Sequence, residues 1–113
     1  MIGHIYRIIH LESDIQYVGS TFNGPRKRWQ QHKKHYREWL SDKHRGMAIY
    51  QYFHQHGIDT FKLILIKTYE VEDRTHLEAY EKLWINKLNC VNKNNPFRIT
   101  KLYNKQYFLC PEI

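Results

Sequence analysis

One carboxylate in this 113-residue chain sits where a charge is hardest to keep. Leu77, Glu81, Trp84 and Leu88 follow i, i+4, i+7, i+11 spacing, so a helix through them carries Glu81 inside its apolar stripe. An ion in that position must be paired, protonated or bound to a metal, because desolvating it alone is very costly. A salt bridge to one of the many basic residues meets that requirement as well as a metal ion does. Glu78 falls instead with Lys82, Ile85 and Asn89 on a mostly polar face, where an i, i+4 pair with Lys82 accounts for it.

Arg28 and His32 are also four apart and share a helical face, with Trp29, Tyr36 and Trp39 close by. A guanidinium beside an imidazole suits clamping a phosphate and handling a proton. A solvated basic face with some aromatic packing has the same signature. Lys27, Lys33, Lys34, His35 and Arg37 extend the positive charge, and such positions supply nucleic-acid backbone contacts more often than catalysis. Tyr6 and Tyr17 each lie in a strand-like segment, where aromatic residues ordinarily serve packing. Gly19, in the second of these segments, implies a bulge or a close backbone approach.

The elements that must position these residues follow from patterning. Ile2 to His10 is rich in β-branched residues, Ile15 to Gly19 is a second short apolar run, and Glu12-Ser13-Asp14 supplies turn chemistry, which together predict a β-hairpin. Pro25 suits the first turn of a helix running from Arg26 to about Leu40. After a charged loop from Ser41 to Gly46, Met47, Ile49, Tyr50 and Phe53 recur at helical spacing until Gly57 stops them. Phe61 to Ile66 reads as a buried central strand, and Glu72 to Asn89 as the longest helix. Asn89 to Pro96 reads as irregular, and Phe97 to Ile113 as an added strand or a packed arm. The order hairpin, helix, helix, strand, helix, tail is that of an α+β domain with a small antiparallel or mixed sheet flanked by helices.

Composition narrows the partners. The chain has room for one ordinary domain, and 18 Lys and Arg against 11 Asp and Glu give a net charge of +7, the footprint of proteins that meet phosphates. Cys90 and Cys110 are too few for a disulfide framework, so both read as free thiols in a reducing compartment. Met1 to His10 mixes His and Arg into its apolar residues, which makes neither a signal peptide nor a membrane span and predicts an intracellular protein. Eight histidines, including His54 and His56, raise a zinc reading, but the thiolate partners are missing.

Taken in order, Gly3-His4-Ile5-Tyr6, Tyr17-Val18-Gly19-Ser20-Thr21, Arg28 with His32, the helix at Glu81-Lys82-Leu83-Trp84-Ile85 and finally Asn92 resemble the GIY-YIG nuclease family along nearly the whole chain. His4 stands where the family usually has the glycine before Ile-Tyr. The resemblance implies a metal-dependent DNA endonuclease with a single active site, its nuclease domain spanning residues 1–97 and a C-terminal extension, 98–113, packed on it. It implies that Glu81 holds magnesium or manganese, Arg28 neutralises the phosphate, Tyr6 or Tyr17 aided by His32 takes the proton from water, and Asn92 braces the site. A non-catalytic nucleic-acid-binding module that keeps the fold is the alternative, and the presence of all five polar side-chain types counts against it.

Overall fold

The computed structural model describes residues 1–41 and 46–94. Its elements run β1 (Ile2–His10), β2 (Gln16–Thr21), α1 (Pro25–Ser41), α2 (Tyr50–His56), β3 (Phe61–Glu70) and α3 (Arg74–Lys87), with short 3-10 turns at Ile58–Thr60 and Val91–Asn94. The three strands form one antiparallel sheet in the order β2-β1-β3. The charged segment 42–45 and the tail from residue 95 lie outside the described residues, as does Cys110.

β1 is central and β3 is an edge strand, the reverse of what the apolar run Phe61 to Ile66 suggests. That run is apolar because its residues serve two cores on opposite faces. Phe61 and Leu63 pack with Ile8, Tyr17, Tyr36, Ile49 and Phe53 beneath α1 and α2. Ile66 and Tyr69 pack with Ile5, Val18, Leu77, Tyr80 and Ile85 beneath α3. Leu65, left over on the first of these faces, is 47% exposed.

The longest described helix is α1, at 17 residues, whereas α3 has 14. Asp73 shortens α3 at its start: its side chain caps the helix by accepting the His76 N–H at 2.9 Å, an interaction typically contributing about 1 kcal/mol. Leu88 adopts an extended backbone and ends it. Ile85 is buried rather than lying on a polar face, because α3 covers a broad sheet surface with more than one stripe. Gly57, at φ 87°, ends α2 with its N–H bonded to the Phe53 carbonyl, a backbone conformation that favours glycine.

Candidate active site

Side chains of β1 and β2 alternate between the two faces. Tyr6, Ile8, Tyr17 and Gly19 therefore face α1 and α2, while Ile5, Val18 and Ser20 face α3. In the register Tyr6 stands opposite Gly19. A Cβ at Gly19 would collide with the Tyr6 phenol, reaching Cε2 at 2.6 Å and lying closer still to Cζ and the hydroxyl oxygen. The missing side chain lets the Tyr6 ring lie flat across β2, which is the close approach that a glycine in a strand implies.

Lying there, the Tyr6 hydroxyl meets α1. It is 2.7 Å from His32 Nε2 and accepts the Arg28 Nε–H at 3.1 Å. Arg28 Nη1 donates onward to Gln31 Oε1 at 3.3 Å, a neighbour whose role gives no signal in the sequence beyond its i+3 spacing. Tyr6 and His32 are buried, and Arg28 is half-buried at the margin of the helix. Burial, then the charges of Arg28 and His35, depress the His32 pKa from 6.5 to about 3, so its imidazole is neutral at ordinary pH. Its Nδ1 has no hydrogen-bond partner among the described residues. Placing the proton on Nε2 leaves only a lone pair stranded at Nδ1 instead of an N–H, and it directs an N–H at the Tyr6 oxygen.

Tyr17 is differently placed. Its ring lies edge-on to His32 at 6.2 Å between centroids, while its hydroxyl donates to Met47 Sδ at 3.5 Å within the core under α1 and α2. Tyr36 and Tyr50 belong to the same core, and burial pushes both phenols up, which keeps them protonated.

On the other side of β2, Ser20 donates its hydroxyl to Glu81 Oε1 at 2.6 Å. Glu81 is 3% exposed, so the carboxylate on the apolar stripe does lie inside, while Glu78 on the same helix is only half-buried. Ser20 is a site neighbour that the spacing of polar residues does not reveal, because a strand serine two residues from the helix-facing Val18 reads as an ordinary polar position. Gly19 and Ser20 are consecutive, so the Tyr6 cluster and the Glu81 cluster share one peptide unit. Asn92 secures the same strand from its open edge: its Oδ1 accepts the Val18 N–H at 2.8 Å and its Nδ2 donates to the Val18 carbonyl at 2.6 Å. The buried amide thus pairs with β2 as a neighbouring strand's peptide would, one residue before Gly19.

The helical rotation of about 100° per residue sorts the remaining basic candidates. His35 follows Arg28 and Gln31 along one margin of α1, and Lys27 and Lys34 occupy its exposed crest. Lys33 and Arg37 lie on the far margin, roughly 140° or more around from Arg28. Lys33 is half-buried there, its ammonium 5.5 Å from the Trp29 ring centre. Among the described residues no three His, Cys, Asp or Glu side chains group as metal ligands, and no helix is long and apolar enough to cross a membrane.

The model of the GIY-YIG catalytic domain matches residues 2–95. The chain belongs to the GIY-YIG family. Its fold is similar to the catalytic domain of the homing endonuclease I-TevI, with a TM-score of 0.61 and 24% identity over 77% of this chain and 88% of that one. A single-substitution variant of the same intron endonuclease domain matches at a TM-score of 0.60 and 25% identity, covering 79% and 86% of the two chains. In sequence, this GIY-YIG chain is 30% identical to the uncharacterized protein 019R of Invertebrate iridescent virus 6 over an alignment covering 99% of this chain and 43% of that relative. It therefore spans less than half the length of that viral protein.

Proposed function

We propose that this GIY-YIG domain is a divalent-metal-dependent endonuclease that hydrolyses phosphodiester bonds in DNA, with Tyr6 as general base. The observation that carries the reading is the convergence of Arg28 Nε and His32 Nε2 on the one hydroxyl oxygen of Tyr6. A phenol with an ordinary pKa near 10 is a poor base at neutral pH. Two N–H donors aimed at its oxygen, one from a cation, stabilise the phenolate as it forms. The His32 imidazole, held neutral by burial, supplies its donor without adding a second charge. Tyr6 then takes a proton from the attacking water, and the rest of the Arg28 fork faces the negative charge gathering on the phosphate oxygens.

The first turn of α1 supports a phosphate partner independently. It holds Arg26, Lys27 and Arg28 and no acidic residue, although cations at the positive end of a helix are unfavourable. A bound phosphate reverses the sign of that interaction. The crest and near margin of α1, with Lys27, Lys34 and His35, continue the positive surface along which the DNA backbone is proposed to run.

A single buried carboxylate with a serine hydroxyl on one oxygen fits a hard ion that keeps most of its water, as magnesium or manganese does, and does not resemble a zinc ligand set. Glu81 would hold that ion, with Ser20 fixing the carboxylate. Such an ion supplies positive charge to a phosphate oxygen and acidifies bound water. Incubation of supercoiled plasmid with the protein, magnesium and, in a parallel arm, a chelator tests the reading. Nicking that requires the ion and is lost in Tyr6→Phe and Arg28→Ala, each still folded by circular dichroism at the assay temperature, is the expected result; equal nicking by all three proteins removes the proposal.

A further inference from the structure

The helices cover only part of the sheet face that bears Tyr6. α1 and α2 close over Ile8, Tyr17, Phe61 and Leu63. Beyond Tyr6, toward the start of β1, the same face carries His4 and Ile2, opposite Thr68 and Glu70 of β3, with Leu65 beside Tyr6. Ile2, Leu65, Thr68 and Glu70 are exposed and His4 is half-buried. Among the described residues the site thus adjoins an exposed strip of sheet whose first polar side chain is His4, two residues, or about 7 Å, along β1 from Tyr6. That separation is comparable to one step between consecutive phosphates of a nucleic-acid strand.

His4 is also held in place by a neighbour. Its Nδ1 is 2.9 Å from Thr68 Oγ1, which fixes the ring and leaves Nε2 as the remaining polar atom. A hydroxyl both donates and accepts. When Thr68 donates to Nδ1, the proton of the neutral ring sits on Nε2; when Thr68 accepts from Nδ1, the neutral ring carries a lone pair at Nε2 instead. A phosphate beside the ring favours the first arrangement, in which Thr68 donates and Nε2–H is presented to a non-bridging oxygen. Glu70, opposite Ile2 one position further out, puts an acidic limit on the strip.

We propose that His4, oriented by Thr68, binds the phosphate one nucleotide away from the scissile one, so that the substrate strand leaves Arg28 along the exposed strip of β1 and β3. The inference rests on the nuclease reading and adds a substrate-binding residue outside the Tyr6, Arg28, His32 and Glu81 groups. A two-by-two comparison tests it: wild type and His4→Ala are each assayed for kcat/KM on a duplex with a mapped cut, unmodified or carrying one neutral methylphosphonate immediately 5′ or 3′ of the scissile phosphate. For one of those positions the methylphosphonate should cost wild type roughly tenfold, His4→Ala should lose about as much on the unmodified duplex, mostly in KM, and the two losses should not add. Thr68→Val should show a smaller rise in KM that is likewise absent on the modified duplex. Losses that multiply at both positions, while the unmodified duplex is still cut, overturn the role of His4 and leave the nuclease reading standing. An unmodified duplex cut by neither protein overturns both. Unchanged circular dichroism and melting temperature certify that His4→Ala remains folded, as expected for a side chain at the margin of the core.

Discussion

The ring of Tyr6 rests on the backbone of Gly19, its partner across β1 and β2. The hydroxyl reaches Arg28 and His32 only because nothing stands on the Gly19 Cα. Gly19→Ala should therefore force the phenol off β2, costing about 1–3 kcal/mol of stability by overpacking and at least a hundredfold in cleavage rate. Chemical denaturation alongside plasmid nicking checks both. A variant that is destabilised yet cuts normally would separate the packing role of the glycine from the proposed chemistry.

His32 makes the domain sensitive to acid. Its folded pKa of about 3 lies below the ordinary 6.5, so between those values the unfolded chain binds more protons than the folded one. The contribution is fully present above pH 6.5 and is lost as pH falls toward 3, in total on the order of 5 kcal/mol. His32→Gln, which removes the titration and keeps a polar side chain, should flatten part of the decline of melting temperature across that window. Parallel declines in the two proteins would show that His32 is not the buried neutral imidazole described.

Much of this was legible before the structure, and the exceptions have physical causes. The hairpin, the helix opening at Pro25 and the buried carboxylate on the stripe of α3 all follow from local periodicity and capping chemistry, which a sequence records directly. The place of β3 at the sheet edge does not, because an apolar run can serve two cores on two faces as readily as it fills a central position. Which of Tyr6 and Tyr17 meets Arg28 is equally hidden. Both occupy strand positions on one face, and only the register, which sets Gly19 opposite Tyr6 and Tyr17 opposite Ile8, decides which hydroxyl escapes the core toward Arg28. Ser20 and Gln31 enter through side-chain reach between elements, which spacing alone does not give.

Removing Ser20 should act through Glu81. Ser20→Ala leaves the carboxylate without the hydroxyl that fixes Oε1, and the expected effect is a several-fold rise in the magnesium concentration needed for half-maximal cleavage, with Ser20→Thr recovering most of the loss. Manganese titration followed by electron paramagnetic resonance reads the same change without catalysis. Glu81→Ala should abolish ion-dependent cleavage, and Glu78→Ala should matter little. Unaltered ion dependence in both Ser20→Ala and Glu81→Ala would remove the metal assignment.

DNA affinity should fall steeply with salt, by roughly 0.9 of a log unit per log unit of salt for each phosphate neutralised. The geometry of α1 makes the prediction selective. Lys27→Ala and Lys34→Ala, on the exposed crest, should each reduce the slope by about one contact, whereas Lys33→Ala, on the far margin against Trp29, should change it least. Fluorescence anisotropy across a salt series measures all three, and a slope indifferent to which lysine is lost would dissolve the proposed track.

The two hairpin tyrosines give the sharpest contrast. Each Tyr→Phe change removes one oxygen and keeps the ring, so the packing of β1 and β2 against α1 should survive in both. In Tyr6→Phe the oxygen lost is the one that Arg28 and His32 address, and the loss of a general base typically costs about a hundredfold to ten-thousandfold in rate. It also strands the His32 Nε2–H in the core, so the variant should lose about 1–3 kcal/mol of stability as well. In Tyr17→Phe the oxygen lost meets Met47 Sδ, a weak acceptor, so stability and rate should both change modestly. Single-turnover rates from pH 6 to 9 then decide the matter. The rate of wild type should rise with pH as the phenolate of Tyr6 becomes populated, and that rise should vanish in Tyr6→Phe and persist in Tyr17→Phe. Should the pH dependence disappear with Tyr17 instead, the base is the hydroxyl beside Met47, and the convergence of Arg28 and His32 on Tyr6 serves only to hold helix to strand.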